Sequence, residues 1–418
     1  MRVFYACLFY LLVPLILLRL SWRSLKAPAY RSRWGERFAL YHKKFPRNVI
    51  WFHAVSVGEA EALFPLVRKI QQHYPKARLL ITTTTPTGSA RVKAVMPDVE
   101  HVYLPYDLPD AVSRFMRCFE PRIAVIMETE IWPNLFACCG KNKIPLYIIN
   151  ARLSEKSASG YQKIPSLIYP ALAEVKLIAA QTQDDARRFV AIGAKTETVR
   201  AIGNIKFDVE VPMEMIKQGL QLKTDLLGKR FVWLIASTHK DEEAVFLEIY
   251  KKIKQRIPEL LLVIVPRHPE RFSEVKKLYE QYPLAGVTRS SGEACQPYTD
   301  VYLVDTMGEL KMFYAAADVA FVGGSMVEVG GHNILEPAAL GIPVLFGPYM
   351  ANFKEIAEGV LRQDAAIQCQ NQDEIFAAII ALYADPAYRQ GLAEKGRAFV
   401  LQNQGAISRI FELLKQDI

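Results

Sequence analysis

The sequence has almost no excess of charge outside one short stretch. Its formal net charge is +9, from 52 Lys and Arg against 43 Asp and Glu. Residues 1–48 contain ten bases and a single acid, Glu36, and so carry all of it, leaving 42 of each sign in residues 49–418. A neutral main body excludes the broad basic surface that holds a nucleic-acid backbone. The six cysteines include no CxxC pair and suggest no disulfide framework, which fits a reducing compartment. The seven histidines form no HExxH or His/Cys cluster, so no zinc site is expected. There is no GxGxxG, no GxxxxGK[ST] and no Asp-x-Asp, which argues against a dinucleotide-dependent oxidoreductase, a P-loop enzyme and metal-dependent binding of a sugar diphosphate. No cofactor is implied. Disorder is excluded as well, since hydrophobic residues make up 51% and charged ones 23%.

One long apolar run is present. Residues 3–18, VFYACLFYLLVPLILL, carry no charge, and Arg19, Trp22 and Arg23 come next. Sixteen residues fall just below the length that comfortably spans a bilayer. No small-residue cleavage site lies beyond it, so the run is read as an uncleaved anchor, spanning or deeply embedded, rather than a signal peptide. The bases from Arg19 to Arg47 place the remainder of the chain on the cytoplasmic side and favour anionic head groups.

Beyond the anchor, short β-branched runs alternate with helix-period segments. Runs at 49–55, 78–83, 123–127, 145–149, 176–180 and 199–202 predict one parallel α/β domain, and those at 231–236, 260–265, 301–304, 319–323 and 343–346 a second. The expected division is an anchor over 1–22, a first Rossmann-like domain over 23–208, a strand-poor linker over 209–230 and a second such domain over 231–418, whose last helix can pack back on the first. Two doubly wound domains are expected to face each other across a cleft, with ligands at the carboxyl ends of the strands.

The strand-to-helix turns carry the candidate chemistry. In the second half these are Ser237-Thr238-His239, Arg267-His268, Thr306-Met307-Gly308-Glu309, and Gly323-Gly324-Ser325 followed by Gly330-Gly331-His332-Asn333 before ILEPAALG. Glycines let backbone approach a ligand, and N–H groups at a helix start suit a phosphate. In the first half, Ser56-Val57-Gly58-Glu59 follows a strand. From local sequence Glu59 reads first as a helix-dipole partner and alternatively as a general base. Glu128 and Glu130 lie in METEIWPN, and Arg152 in NARLS, a turn able to hold an anionic sugar.

These blocks resemble one known family. HAVSVGE (53–59), ETEIWPN (128–134), NARLSEKS (150–157), GNIKFD (203–208), ASTHKDEE (236–243), PRHPERF (266–272), DTMGEL (305–310) and FVGGS with GGHNILEPAALGIPVLFGP (321–325, 330–348) are similar, in order, to the 3-deoxy-D-manno-oct-2-ulosonic acid (Kdo) transferases that modify the lipid A precursor. The resemblance covers essentially the whole chain. It implies a GT-B glycosyltransferase with two Rossmann-like domains, attached to the cytoplasmic face of the bacterial inner membrane, taking CMP-Kdo as donor and lipid IVA as acceptor. It implies Glu59 as the general base, and Arg267, His268, Met307, Gly308, Glu309, Asn333, Ile334, Leu335 and Glu336 as the CMP-binding set. Ser56, Gly58, Glu128, Glu130, Arg152, Ser237, Thr238, Gly324 and Ser325 are further candidate sugar or acceptor contacts. The competing readings are another membrane-associated GT-B enzyme using a UDP-sugar and a non-catalytic nucleotide-sugar binder.

Overall fold

The computed structural model describes residues 1–228 and 230–418. Lys229, in the expected linker, and the side chain of Lys26 lie outside the described residues. The chain divides into two compact units, Met1–Asp208 with Gln404–Ile418, and Val209–Asn403.

The first unit is built on a seven-stranded parallel sheet of β1 (Val49–His53), β2 (Arg78–Thr83), β3 (Glu100–Tyr103), β4 (Ile123–Met127), β5 (Leu146–Ala151), β6 (Val175–Ala180) and β7 (Val199–Ala201), in the order β3-β2-β1-β4-β5-β6-β7. Side chains alternate across the sheet, so Trp51, Leu80, Ala124, Ile126 and Ile148 fill one core while Ile50, Phe52, Ile81, Val125 and Ile149 fill the other. Burial on both faces is why these strands read as continuous apolar runs. The order reverses between β1 and β4, which makes the loops after those two strands the ligand-prone edge of the unit.

The second unit repeats the plan with β8 (Phe231–Thr238), β9 (Leu260–Pro266), β10 (Gly286–Thr288), β11 (Val301–Leu303), β12 (Val319–Val322), β13 (Val344–Phe346) and β14 (Ile367–Gln368), ordered β10-β11-β9-β8-β12-β13-β14. Here the switch point lies between β8 and β12. β3, β10 and β14, none of them among the expected strands, are all edge strands, short and only partly apolar.

The structure differs from the expected division in the stretch given to the linker. Residues 209–230 are not a bare linker, because they contain the helix Met213–Leu222, which packs on the helix Leu310–Ala316 within the second unit. Gly219 permits this approach, since a Cβ there would lie 2.4 Å from the Met312 carbonyl oxygen. The final helix, Ala406–Leu414, belongs to the first unit, where Ala406, Ile407, Ile410, Phe411 and Leu414 join the core beneath the helix Val57–His73. Asp208 fixes its start, its carboxylate accepting the N–H groups of Gly405 and Ile407. Lys176 holds its far end through Asp417 at 2.7 Å. Asp208→Ala strands both N–H groups and is expected to cost about 1–2 kcal/mol, read as an earlier urea midpoint for the first unit.

Candidate active site

In the first unit the critical turn follows β1. His53, the last residue of that strand, is fully buried with Nδ1 2.9 Å from Thr82 Oγ1, and burial pushes its pKa down to about 4, so it is a neutral structural group. Ser56 then caps the helix Val57–His73, and the Glu59 carboxylate turns back to accept from Val55 N–H at 2.8 Å and the Ser56 hydroxyl at 3.0 Å. This variant of the capping box gives Glu59 a reason to sit where it does without using all its acceptor capacity. Two donors occupy about half of the four or so lone-pair positions of a carboxylate. Burial raises the Glu59 pKa, Val55 N–H opposes the rise, and the charge of Glu128 adds to it.

Glu128 and Glu130 reach the same place from the loop after β4. Glu128 adopts φ +57° and donates its N–H to the Ile149 carbonyl at 3.0 Å. Burial, then the Glu59 charge, pushes Glu130 up to about 7, with Glu128 adding to the rise. The three acids thus lie close together, with the charge of Glu128 felt at both of the others.

Sequence reasoning missed the cation beside them, Lys206, whose charge opposes the rise at Glu59. Its loop is held by buried Asn150 at φ +51°, which accepts Ile205 N–H at 3.1 Å, and by Gln181, which accepts from Asn204 at 2.8 Å. Arg152 is half-buried near the end of β5, and Gly58 is exposed.

In the second unit a buried carboxylate organises the edge. Glu242 accepts the N–H groups of His239 (2.9 Å), Gly324 (2.7 Å), Ser325 (3.2 Å) and Met326 (3.0 Å). The Gly-rich turn expected to offer its N–H groups to a ligand therefore already holds an anion supplied by the chain. Ser325 Oγ donates to Val322 and accepts from Gly347 N–H at 2.8 Å, and Thr238 donates to Glu243 at 2.6 Å. Glu243 is in turn paired with Arg271. Ser237, Thr238, Gly324 and Ser325 build the buried floor of this edge, with Ser237 at φ +56°.

The groups above that floor are basic. Arg267 and His268 are exposed at the end of β9. His239 and His332 lie with their Nε2 atoms 2.8 Å apart and their rings within 10° of parallel, and His268 sits edge-on to His239. The sequence singled out none of this pairing, which joins residues from different turns. Burial, reinforced by Arg267 and the neighbouring imidazoles, pushes His332 down to about 4; burial and then His268 lower His239.

Glu309 is held by Arg289 at 2.8 Å and by Thr306, while Met307 and Gly308 are exposed beside it. Asn333 accepts Leu335 N–H at 3.0 Å at the start of a helix limited to Leu335–Ala339. Ile334 and Leu335 are buried, whereas Glu336 is half-buried. So short a helix supplies little dipole, and positive charge at this edge comes mainly from side chains.

Comparisons with known proteins decide the family. Residues 32–209 match the model for 3-Deoxy-D-manno-octulosonic-acid transferase (kdotransferase), and residues 238–399 that for Glycosyl transferases group 1. The 3-deoxy-D-manno-octulosonic acid transferase of Haemophilus influenzae is 40% identical over 418 residues, covering 99% of this chain and 98% of that protein. The chain belongs to the Kdo transferase family. It is a glycosyltransferase, and the expected two-sheet α/β class holds. The crystal structure of UDP-GlcNAc 2-epimerase from Neisseria meningitidis bound to UDP-GlcNAc is similar in fold, with TM-score 0.57 at 15% identity over 89% of this chain and all of that one. The C-terminal CMP-Kdo binding domain of WaaA from Acinetobacter baumannii is 39% identical over 46% of this chain and all of that one, with TM-score 0.44.

The acid cluster yields a pH test. Folding raises the Glu130 pKa to about 7, against roughly 4.3 for an unperturbed Glu. Between these values the folded chain binds more protons than the unfolded one, so this group's contribution to stability is present below the window and falls as pH rises through it. Glu130→Gln is expected to flatten that fall in urea unfolding between about pH 4.5 and 7.

Proposed function

We propose that this enzyme transfers Kdo from CMP-Kdo to lipid IVA on the cytoplasmic face of the bacterial inner membrane, with inversion at the anomeric carbon and Glu59 as general base. The observation that carries the reading is the state of Glu59. It is anchored by Val55 and Ser56, retains acceptor capacity, and is made a stronger base by burial and by Glu128. The dipole-partner role and the base role are compatible, since the capping contacts aim the carboxylate without saturating it.

In the proposed step an acceptor hydroxyl loses its proton to Glu59 as its oxygen bonds to the anomeric carbon of Kdo. The bond from that carbon to the phosphate oxygen breaks, and CMP leaves with the electron pair. Donor β configuration becomes product α. Positive charge developing on the ketose carbon is favoured by Glu128 and Glu130, while Lys206 and Arg152 suit the sugar's own carboxylate. Ser56 and Gly58 border Glu59 at this end of the first sheet.

The donor's one phosphate needs less neutralisation than a diphosphate. Arg267 and His268 supply that charge, helped by the neighbouring imidazoles, and the backbone around Met307, Gly308, Glu309, Asn333, Ile334, Leu335 and Glu336 frames the nucleoside. The Gly324 and Ser325 N–H groups act indirectly, because Glu242 already uses them. The exposed bases of residues 19–47, Arg19, Arg23, Arg31, Lys43, Lys44 and Arg47, bind head groups and the acceptor's phosphates, whereas Arg37 is buried and Arg33 is paired with Glu36.

Glu59→Gln is expected to lower turnover by about 10²–10⁴-fold while leaving CMP affinity intact; turnover near that of the unaltered enzyme would remove Glu59 from the role. Arg267→Ala is expected to weaken CMP binding by roughly 10–100-fold, the value of a charged hydrogen bond. CMP should also compete for the donor site better than UDP, and the opposite preference would favour a UDP-sugar donor.

A further inference from the structure

The N-terminal helix, Arg2–Lys26, is exposed over most of its length and buries residues only near its two ends. Phe4, Leu8, Leu11, Leu15, Leu18 and Trp22 recur every three or four residues on one side and are 45% or more exposed throughout, Leu11 reaching 75%. Ala6, Leu20 and Ser24 on another side are 9% exposed or less.

The buried side rests on the first unit. The Tyr10 hydroxyl bonds to Asp110, Tyr5 lies beside Asp107, and the helix packs against Pro133–Lys141. Asp107 is itself buried, capping that second helix by accepting Asn134 N–H at 3.0 Å and Leu135 N–H at 2.8 Å. Residues 106–110 therefore lie beside the first turns of the helix, with Arg19 and Arg23, towards its other end, near enough to be felt at Tyr106.

A helix that crosses a bilayer puts its two ends about 30 Å apart on opposite sides of the hydrocarbon. Residues 106–110, a short connection and the first turn of the helix Pro109–Phe119, would then be drawn into lipid with the exposed Asp110 carboxylate, where such an acid is strongly disfavoured. A helix lying in the interface meets no such conflict, because its apolar stripe enters the acyl chains by roughly 5–10 Å while its other face stays on the protein. Charge agrees: Arg2 precedes the apolar run and Arg19 and Arg23 end it, so both ends of the stripe are fitted for anionic head groups. Trp22 suits the same level.

We propose that this helix is an in-plane anchor in one leaflet of an anionic membrane, with the stripe from Phe4 to Trp22 among the acyl chains and Met1 on the same side as the rest of the chain. This rests on the reading that the helix is the membrane attachment, and it replaces the spanning alternative allowed by its length.

The test uses the full chain with a protease-cleavable tag ahead of Met1 and another after Ile418, reconstituted into vesicles of phosphatidylethanolamine and phosphatidylglycerol and exposed to an impermeant protease. Each molecule is expected to lose both tags or neither. Molecules that lose one tag only, with full cleavage after detergent, would show a spanning helix and overturn the in-plane proposal. Failure to bind vesicles at all would overturn the membrane reading itself, and a stable dimer in the same preparation would assign the stripe to a second copy. In a parallel arm, Leu11→Asp with Leu15→Asp is expected to reduce vesicle binding by about 10-fold or more with CMP binding unchanged; unchanged vesicle binding would take the stripe out of the lipid.

Discussion

Both sheet edges depend on a carboxylate that accepts backbone N–H groups the turns would otherwise leave unpaired. Buried donors without partners are costly, and a charged acceptor satisfies several of them at once. Glu242 and Glu59 each do this beside the start of a helix that follows a central strand, but to different degrees. With four N–H groups around it, Glu242 is a fixed part of the scaffold, and the Gly323–Ser325 turn takes its shape from it. Glu59 has one N–H and one hydroxyl. The count of donors, more than the residue type or its place in the chain, separates a structural acid from one able to take a proton.

The two edges have opposite electrostatic character. At the first, the charge of Glu128 makes Glu59 and Glu130 harder to ionise, Glu59 adds to the effect on Glu130, and Lys206 opposes it at Glu59. At the second, burial and the neighbouring Arg267 and His268 make protonation of His239 and His332 harder. Each cluster holds unfavourable like-charge interactions that a ligand of the other sign would ease. That is the arrangement expected where one edge handles a proton and a developing cation and the other an anionic nucleotide.

Much of the fold was legible because the central strands are buried on both faces and so form unbroken apolar runs. β3, β10 and β14 escaped because edge strands need not be apolar on both sides; Glu100–Tyr103 even carries His101 and Glu100. The helix Met213–Leu222 escaped because a stretch without strand signals, mixed in charge, reads locally like a connection. At the site, Glu59 could be found from its position three residues after a capping Ser at the end of a strand. Glu242 could not, since its partners Gly324, Ser325 and Met326 lie 82 to 84 positions away. The His239–His332 pair spans 93 positions, and the contact of Asn150 that holds the Lys206 loop spans 55. Local spacing carries no trace of such contacts.

The final helix gives the chain an unusual order of assembly. The second unit is one continuous stretch, so all of it is available once residue 403 has left the ribosome. The first unit, although most of it is made earlier, lacks Ala406, Ile407, Ile410, Phe411 and Leu414 until the stretch after the second unit has been made. Until then the part of the helix Val57–His73 that the final helix covers stays open, a period in which a nascent chain is exposed to wrong partners. The half of the molecule that is translated first is therefore the half that closes last.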